Sequence, residues 1–364
     1  TARINKLSGR HWIWNASAMI ESPEFEPSDF GRLNFAGDYT WRAQLNYRET
    51  VPGHFLRAYS IGPNVTHYSY YDRTLGNRYN VGVNASATFL NFWSTRVSLT
   101  RYLRGFDAQL TRGGPVMGVP TGWGASWSLR NRGGSQTQWS GQANYQSNEI
   151  GDYTWRVGAT LSGRPSASLA LSVRPDYRNE RGTRATFSGP INRQYLTTLP
   201  GGRPETFGNR YVFGFPDRTT LSTQFRVSIT FKPDMTLDVY AEPFAASGRY
   251  LAFGETLVPG ARELRVYGLD GTSIVRLDDG SYQVTDGADT FGLANRDFNV
   301  RSFRSNVVLR WEWRPGSTLF VVWQQNRESR ESQGAHVGFG DLFESLTASG
   351  DNIFAVKTTV WTSR

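Results

Sequence analysis

The feature of this chain that most restricts its fold is a long-range alternation of apolar and polar residues. In residues 219–232, the odd-numbered positions from Leu221 to Phe231 are apolar or threonine, and the even-numbered positions are polar. A period of two places successive side chains on opposite faces of a strand, so such a stretch predicts one apolar and one polar face. The same alternation is clear in residues 39–48, 78–89 and 152–162. We therefore predict an all-β protein.

The alternation predicts sixteen strands along the chain. They are expected near residues 9–20, 39–49, 54–71, 77–89, 93–103, 123–131, 137–147, 152–163, 167–175, 185–197, 206–214, 219–232, 235–249, 303–313, 317–326 and 352–363.

The lengths of the connections between these strands predict how the strands are arranged. If the chain runs up and down, the long connections 21–38, 104–122, 250–302 and 327–351 all fall at one end, and tight turns such as 233–234 fall at the other. Bacterial outer-membrane barrels have short periplasmic turns and long extracellular loops. We therefore predict that residues 1–364 form one up-and-down antiparallel transmembrane β-barrel domain of about 16 strands, either complete or part of a larger barrel.

The longest connection, 250–302, has strand-like pieces of its own. Glu263–Leu269, Ser273–Leu277 and Ser281–Thr285 alternate in the same way, and Asp278-Asp279-Gly280 has the composition of a hairpin turn. We expect a small β-hairpin folded over or into the mouth of the barrel.

Composition agrees with a barrel and limits its partners. The mean hydropathy is −0.49, as an alternating barrel also gives, and the 14% of aromatic residues suits the girdles at the two membrane interfaces. The lysines are Lys6, Lys232 and Lys357, so the other 37 of the 40 basic side chains are arginines. Arginine binds phosphate and carboxylate groups bidentately, which suits lipopolysaccharide or an anionic solute, although biased codon usage explains the excess equally simply. Because the arginines are dispersed through the strands, we do not expect nucleic-acid binding.

Signatures of catalysis and of metal binding are absent from the sequence. There is no Gly-x-Ser-x-Gly motif and no phosphate-binding loop, and cysteine, the source of disulfides and thiolate chemistry, does not occur. The four histidines, His11, His54, His67 and His336, do not have metal-ligand spacing. We therefore predict no catalytic residue, no cofactor and no metal, with a hydrolase site at the barrel rim, formed for example by Asp72 and His67, as a minor alternative.

The loops hold a few candidate binding residues. Arg112, Gly113 and Gly114 lie in the connection 104–122, where the glycines would either let the backbone approach a ligand closely or make a sharp reversal. Asp278 and Asp279 belong to a group with Asp270, Asp286 and Asp289 that could bind Ca²⁺ or serve as ordinary turn residues.

The polar faces of the strands are the strongest functional candidates. If the apolar faces meet lipid, the polar faces line a lumen that is either a wet pore or is packed by its own side chains. The predicted lining residues are Arg42, Gln44, Asn46, Asn80, Asn84, Arg96, Gln142, Asn144, Arg156, Gln224, Arg226, Arg310, Glu312 and Gln324.

Several segments resemble one bacterial family of unassigned function. These are Asn295–Trp323, Ser8-Gly9-Arg10-His11-Trp12, Ser22-Pro23-Glu24-Phe25-Glu26, Asp29-Phe30-Gly31 and Arg112-Gly113-Gly114-Pro115. Members of that family join an N-terminal carbohydrate-binding-like β-sandwich of the family-9 type to an outer-membrane β-barrel. The resemblance implies that this chain is the C-terminal barrel region, located in the outer membrane of a Gram-negative bacterium, and it carries over no catalytic residue.

Two functions of different classes follow from these observations. The first is a pore or loop-plugged channel for small solutes, anionic or carbohydrate-related. The alternative is a surface glycan receptor or adhesin, in which the barrel is an anchor and the outer loops 104–122, 250–302 and 327–351 bind. The expected partners are outer-membrane lipid and lipopolysaccharide, an upstream carbohydrate-binding-like domain, and other outer-membrane proteins.

Overall fold

The chain is almost entirely β-structure in a computed structural model that describes residues 1–22, 37–71, 78–182 and 193–362. One short helix and two 3₁₀ turns, Pro204–Thr206 and Ser345–Thr347, are the helical elements of these residues. The elements are β1 (Ala2–Lys6), β2 (Trp12–Ile20), β3 (Asp38–Glu49), β4 (Leu56–Tyr70), β5 (Arg78–Phe89), β6 (Ser94–Tyr102), β7 (Gly105–Asp107), β8 (Met117–Val119), β9 (Gly122–Arg130), β10 (Thr137–Asn148), β11 (Tyr153–Ser166), β12 (Leu169–Arg181), β13 (Gln194–Pro200), β14 (Asn209–Lys232), β15 (Met235–Glu255), β16 (Arg265–Val266), β17 (Thr272–Arg276), β18 (Tyr282–Asp286), β19 (Asp289–Leu293), β20 (Phe298–Arg314), β21 (Ser317–Glu331), α1 (Phe339–Glu344) and β22 (Gly350–Thr359).

One large antiparallel sheet holds most of these strands in sequence order. Strands β1 to β6 pair successively, β6 pairs with β9, and β9 to β12 follow in order. Strand β12 then pairs with β14, β14 with β15, β15 with β20, and β20, β21 and β22 complete the sheet. In the part of the chain that the structure describes, no pairing joins β1 to β22. The predicted antiparallel all-β fold is therefore present, and the sheet is open between its first and last strands.

The connections of this sheet are sorted by length between its two ends. Long connections, at residues 21–37, 103–121, 256–297 and 332–349, all leave from one end, which we call the long-loop end. The other end has short turns, at residues 90–93, 167–168, 233–234 and 315–316. The antiparallel order of the strands makes this sorting possible, because alternate connections must lie at opposite ends.

The two faces of the sheet have the reverse of the usual burial. On β5, the apolar side chains of Tyr79, Val81 and Val83 are exposed, whereas Asn80 and Asn84, on the opposite face of the strand, are partly buried. On β11, Trp155, Val157 and Leu161 are likewise exposed while Thr154 is buried. An outward apolar surface of this extent is unusual for a protein in water. It arises because the sheet curls around its polar face.

Several predicted strand boundaries are wrong. The two strands expected at 206–214 and 219–232 form one continuous strand, β14, in which a β-bulge between Phe215 and Pro216 in the pairing with β15 accommodates the proline. Strand β12 runs through Pro175 to Arg181 rather than ending at 175. The first strand, β1, was not predicted at all.

Two further expectations fall near the long-loop end. The strand expected at 185–197 lies partly outside the described residues, and its described part falls in β13, a short strand that pairs with the first quarter of β14. The insert spans 256–297 rather than 250–302, because β15 and β20 extend further than predicted. Its predicted hairpin is a three-stranded sheet, β17–β18–β19.

Among the residues that the structure describes, most of the buried hydrophobic side chains lie at the long-loop end. Val212, Tyr250 and Phe253 from β14 and β15 pack against the insert residues Tyr267 and Val284. A second cluster joins Met117, Tyr211, Phe213 and Leu264. We call this packed unit, formed by residues 103–121, 194–216 and 250–297, the cap.

Candidate functional site

Three cavities follow one another along the polar face of the sheet. The first, of about 440 Å³, lies nearest the cap and is lined by β3 to β6 and β9 to β12. The second, of about 520 Å³, shares Arg156 with the first. The third, of about 420 Å³, shares Arg130 with the second and reaches the short turns at 131–133. Polar side chains therefore line a succession of cavities from the cap to the short-turn end.

The second cavity carries a strong positive charge. Four arginines line it, Arg96, Arg130, Arg156 and Arg174, and Asp176 is the carboxylate among its lining residues. The Nε of Arg156 donates to Asp176 at 2.8 Å, which neutralises one of the four. The other lining residues are mainly serine, threonine, glutamine and glycine, so the cavity combines net positive charge with uncharged hydrogen-bonding groups. Such a surface attracts anions and hydrated polar solutes.

The register of the sheet explains how these side chains come together. Antiparallel pairing places residues from seven neighbouring strands directly opposite one another, and cross-strand neighbours on one face lie about 5 Å apart. These residues form one row across the sheet: Ser86, Arg96, Ser128, Gln142, Gly158, Asp176 and Ser222.

The first cavity, nearest the cap, is also polar but carries less positive charge than the second cavity. Arg178 donates to the buried carboxylate of Glu180 at 2.6 Å, and Gln146 donates to the hydroxyl of Tyr102 at 3.5 Å. Arg42 and Arg156 are the other arginines in its lining. Its remaining polar groups are amides and hydroxyls, which suit uncharged polar solutes.

Half of the predicted lining residues lie in these cavities. The seven that do are Arg42, Asn80, Arg96, Gln142, Asn144, Arg156 and Gln224.

The other predicted lining residues share the polar face but lie outside the cavities. Gln44 donates to Asn46 at 3.1 Å, and Arg310 is paired with Glu312 at 3.1 Å. The guanidinium of Arg226 lies 5.2 Å from the ring centroid of Tyr240. Asn84 and Gln324 are the remaining two predicted lining residues that lie outside the cavities.

Sequence reasoning missed Arg130, Arg174 and Arg178. Arg130 alternates in phase with Ser126 and Ser128, so the signal for its face was present in the sequence. Arg174 lies inside the expected strand 167–175 and in phase with Ser172, so the signal for its face was also present. Arg178 lies beyond the expected end of that strand, and only the observed continuation of β12 places it in the wall of the cavities.

The predicted loop residues are parts of the cap and its turns. The guanidinium of Arg112 lies 4.9 Å from the ring centroid of Tyr195, and a Cβ on Gly114 would lie 2.1 Å from the ring of Tyr211. Gly113 has a φ of +99°, which glycine adopts without strain. The Arg-Gly-Gly segment is thus a packed reversal of the chain.

The predicted acidic group is divided among different partners. Asp279 closes the turn before β18 by accepting from the backbone and hydroxyl of Ser281, and these bonds lower its pKa. Asp278 lies in the same turn. Among the described residues, no group of three or more His, Cys, Asp or Glu side chains has an arrangement that could hold a metal ion.

A buried ion-pair network holds the insert on the ends of β14 and β15. Arg210 donates to Glu255 and to Asp286, both at 2.8 Å, and to Asp289 at 3.1 Å. Arg265 donates to the other oxygen of Asp286 at 2.8 Å. The bond from Arg265, with that from Arg210, lowers the pKa of Asp286 to about 2, whereas burial raises the pKa of Glu255.

Residues 103–121, which we call the strap, connect distant parts of the long-loop end. On one side, the N–H of Ala108 donates to the Tyr70 hydroxyl of β4 at 2.7 Å, and Asp107 pairs with Arg78 of β5 at 3.1 Å. On the other side, Gly118 donates to Ala261 of the insert at 2.9 Å. Because β4 and β15 are far apart in the sheet, the strap crosses the long-loop end.

The remaining expectations concern enzymes and membrane helices. His67 is buried beside the ring of Tyr79, and Asp72, its suggested partner in a rim hydrolase, lies outside the described residues. In the described ranges, no helix has the length and apolarity needed to cross a membrane.

Comparison with known proteins identifies a family but no activity. No curated protein matches the chain at a significant level. A family model described as a domain of unknown function, DUF5916, matches residues 1–361, so the chain belongs to the DUF5916 family.

Proposed function

We propose that this chain forms a membrane-spanning β-barrel of the bacterial outer membrane whose polar lumen admits small solutes. The observation that carries the proposal is the reversed burial of the sheet: polar side chains line three consecutive cavities while large apolar side chains point outward. On β5 the outward apolar face runs from Tyr79 to Phe89, which matches the roughly 9–11 residues of a tilted transmembrane strand.

This proposal requires the edges of the sheet to be paired in the membrane. Unpaired backbone N–H and C=O groups cannot be satisfied by hydrocarbon, so spanning sheets are closed. Either β1 and β22 pair with each other, or additional strands complete a larger barrel.

The arginines of the second cavity favour solutes that carry phosphate or carboxylate groups. Arg96, Arg130 and Arg174 are exposed to the cavity and present guanidinium groups that such anions bind well. The strap and the insert reduce access from the long-loop end, so we expect a restricted channel rather than a wide pore.

The first test is behaviour in detergent and in planar bilayers. We expect heat-modifiable migration in gels and stepwise conductance with a reversal potential that indicates anion preference under a salt gradient. A protein that is monodisperse without detergent would refute the barrel, and cation selectivity would refute the role of the arginines.

A pair of variants tests the arginines directly. Arg96→Gln with Arg174→Gln should reduce anion selectivity while leaving heat-modifiability intact. Arg276→Gln, an exposed arginine of the insert, is the matched control and should leave selectivity unchanged. Equal effects of the two variants would contradict a specific role of the second cavity.

A receptor function remains the second candidate because the cap has a cavity of its own. This cavity, of about 440 Å³, is lined by charged and apolar residues, including Arg203, Glu263 and Asp270. If the barrel only anchors a glycan receptor, Arg203→Ala with Asp270→Ala should abolish glycan or lipopolysaccharide binding without changing conductance. Unchanged binding by this variant would exclude the cap cavity.

A further inference from the structure

The short helix α1 and the 3₁₀ turn Ser345–Thr347 that follows it present an apolar stripe to the outside of the molecule. Phe339, Phe343 and Leu346 are 75%, 72% and 41% exposed. Their spacing of four and then three residues places them on one side of a helical turn. On the other side, Leu342 and Ser345 are buried against the sheet. The exposed stripe is therefore a fixed part of the fold.

The helix lies on the apolar face of the sheet rather than over its cavities. Leu342 and Val337 pack in one cluster with Leu221 of β14 and Ala245 of β15, which oppose each other in the sheet. Leu221 shares its face with Phe225, whereas the intervening Ser222 and Gln224 line the second cavity. The helix and the cavities are thus on opposite sides of the same strand.

Two arginines of the same face fix this segment in place. Arg301, directly opposite Ala245, donates to Asp341 at 2.7 Å and lies 3.3 Å from Glu344. Arg327 donates to the carbonyl oxygens of Leu346 and Ala348 at 3.2 and 3.4 Å. The charged groups of α1 are therefore drawn toward the sheet, which leaves the phenylalanines outermost.

The helix is also continuous with the outward apolar surface of the neighbouring strands. The row that contains Leu221 continues directly into Tyr177 of β12 and Val157 of β11, both of which are exposed. A six-residue helix is too short to cross a bilayer, but an apolar stripe beside such a surface suits the boundary between headgroups and acyl chains.

We propose that α1 and the 3₁₀ turn after it form an interfacial anchor that inserts Phe339, Phe343 and Leu346 into the outer edge of the lipid layer. This inference depends on the proposed membrane-spanning barrel. It names lipid as the partner because the stripe continues the surface that lipid would cover. The anchor marks where the membrane ends and the cap begins.

Site-directed spin labelling can test the two proposals separately, because the chain has no cysteine. Phe343→Cys places a label on the stripe, Trp323→Cys on the outward apolar face of β21, and Ser332→Cys at the exposed polar start of the connection before α1. Each variant is labelled, checked for heat-modifiable folding and reconstituted in phosphatidylcholine–phosphatidylglycerol vesicles. The relaxation of the label by oxygen and by a water-soluble nickel chelate is then compared.

We expect the labels at 323 and 343 to be accessible to oxygen and shielded from nickel, and the label at 332 to be accessible to nickel. If 323 is shielded but 343 is as accessible to nickel as 332, the anchor is wrong and the barrel stands. If 343 is shielded from both reagents, a protein surface covers the helix and the anchor is also wrong. If 323 itself is accessible to nickel, the proposed membrane-spanning barrel fails.

Discussion

Replacement of Arg210 by methionine should detach the insert from the strands that carry it. Arg210 is 5% exposed and binds three carboxylates, and without it Glu255, which is 2% exposed, retains only Arg265, at 3.5 Å. Removing one partner of a buried ion pair costs about 3–5 kcal/mol, since the remaining charge is left buried without compensation. At about 1.4 kcal/mol per tenfold change, the opening equilibrium of the insert should increase by roughly a hundredfold to several thousandfold.

Native-state hydrogen exchange measures this opening residue by residue. The amides of β17, β18 and β19 should lose protection in Arg210→Met, while those of β5 and β6 keep it, because the network contacts only the cap. Adding Glu255→Gln should restore part of the protection by removing the uncompensated charge. Arg276→Met is the control: that arginine is 49% exposed and 3.5 Å from Asp297, and the buried Asp297 carboxylate still accepts from the backbone N–H of Tyr250 at 2.8 Å. A change of about 0–1 kcal/mol is therefore expected. Unchanged exchange in the insert of Arg210→Met, or a loss spread evenly over the sheet, would refute the reasoning.

Three further predictions concern the cap and α1. Because Arg265, then Arg210, lowers the pKa of Asp286 from 3.8 to about 2, its ionised form stabilises the folded insert above pH 3.8, and this contribution is lost as the pH falls toward 2. Asp286→Asn should therefore remove the acid-dependent part of insert opening over that range, measured by hydrogen exchange at low pH, and an unchanged pH profile would contradict it. Gly114→Ala should loosen the strap by about 1–3 kcal/mol, because the added Cβ would lie 2.1 Å from the Tyr211 ring, and faster limited proteolysis within residues 103–121 would show it. Leu342→Ala should weaken the docking of α1 by about 2–4 kcal/mol, since Leu342 is buried. Faster hydrogen exchange of the α1 amides would show this, whereas loss of protection over the whole sheet would argue against a local role.

The period of the sequence was sufficient to assign the faces of the strands. Asn80 and Val81 illustrate this, because their opposite faces follow from alternation alone and agree with their observed burial. Alternation does not determine how far along the sheet a side chain lies or how tightly the sheet curls. That is why Arg96 lines a cavity while Arg226, on the same face, contacts the ring of Tyr240 instead.

Two of the wrong strand boundaries lie at or near prolines. The expected strands end at Pro175 and at residue 214, two residues before Pro216, yet β12 and β14 continue through both prolines. Proline lacks one ladder donor, and a strand can tolerate that loss when a bulge or the neighbouring pairs hold the register. The boundary at Pro175 left Arg178 outside the expected strand, whereas Arg174 lay inside it and was omitted from the predicted lining all the same.

The cap could not be predicted because its contacts join residues that are distant in sequence. The pair of Arg210 with Asp289 spans 79 positions, and no local pattern announces it. The turn at Asp278–Gly280 was recognisable because turn chemistry is local. Nothing in the sequence around Asp286 and Asp289 indicated that these carboxylates would pair with arginines.

The order of pairing in the sheet has a consequence for how the protein folds. Almost every strand pairs with its neighbour in sequence, so assembly can proceed by adding one hairpin at a time with low contact order. The longest closure in the sheet brings β15 to β20 across residues 256–297. Loop-closure entropy rises only with the logarithm of length, by about 0.6 kcal/mol for each doubling. An insert at this connection therefore adds little to the entropic barrier of forming the sheet, and the same connection could accept a larger folded unit without slowing the pairing of the strands beneath it.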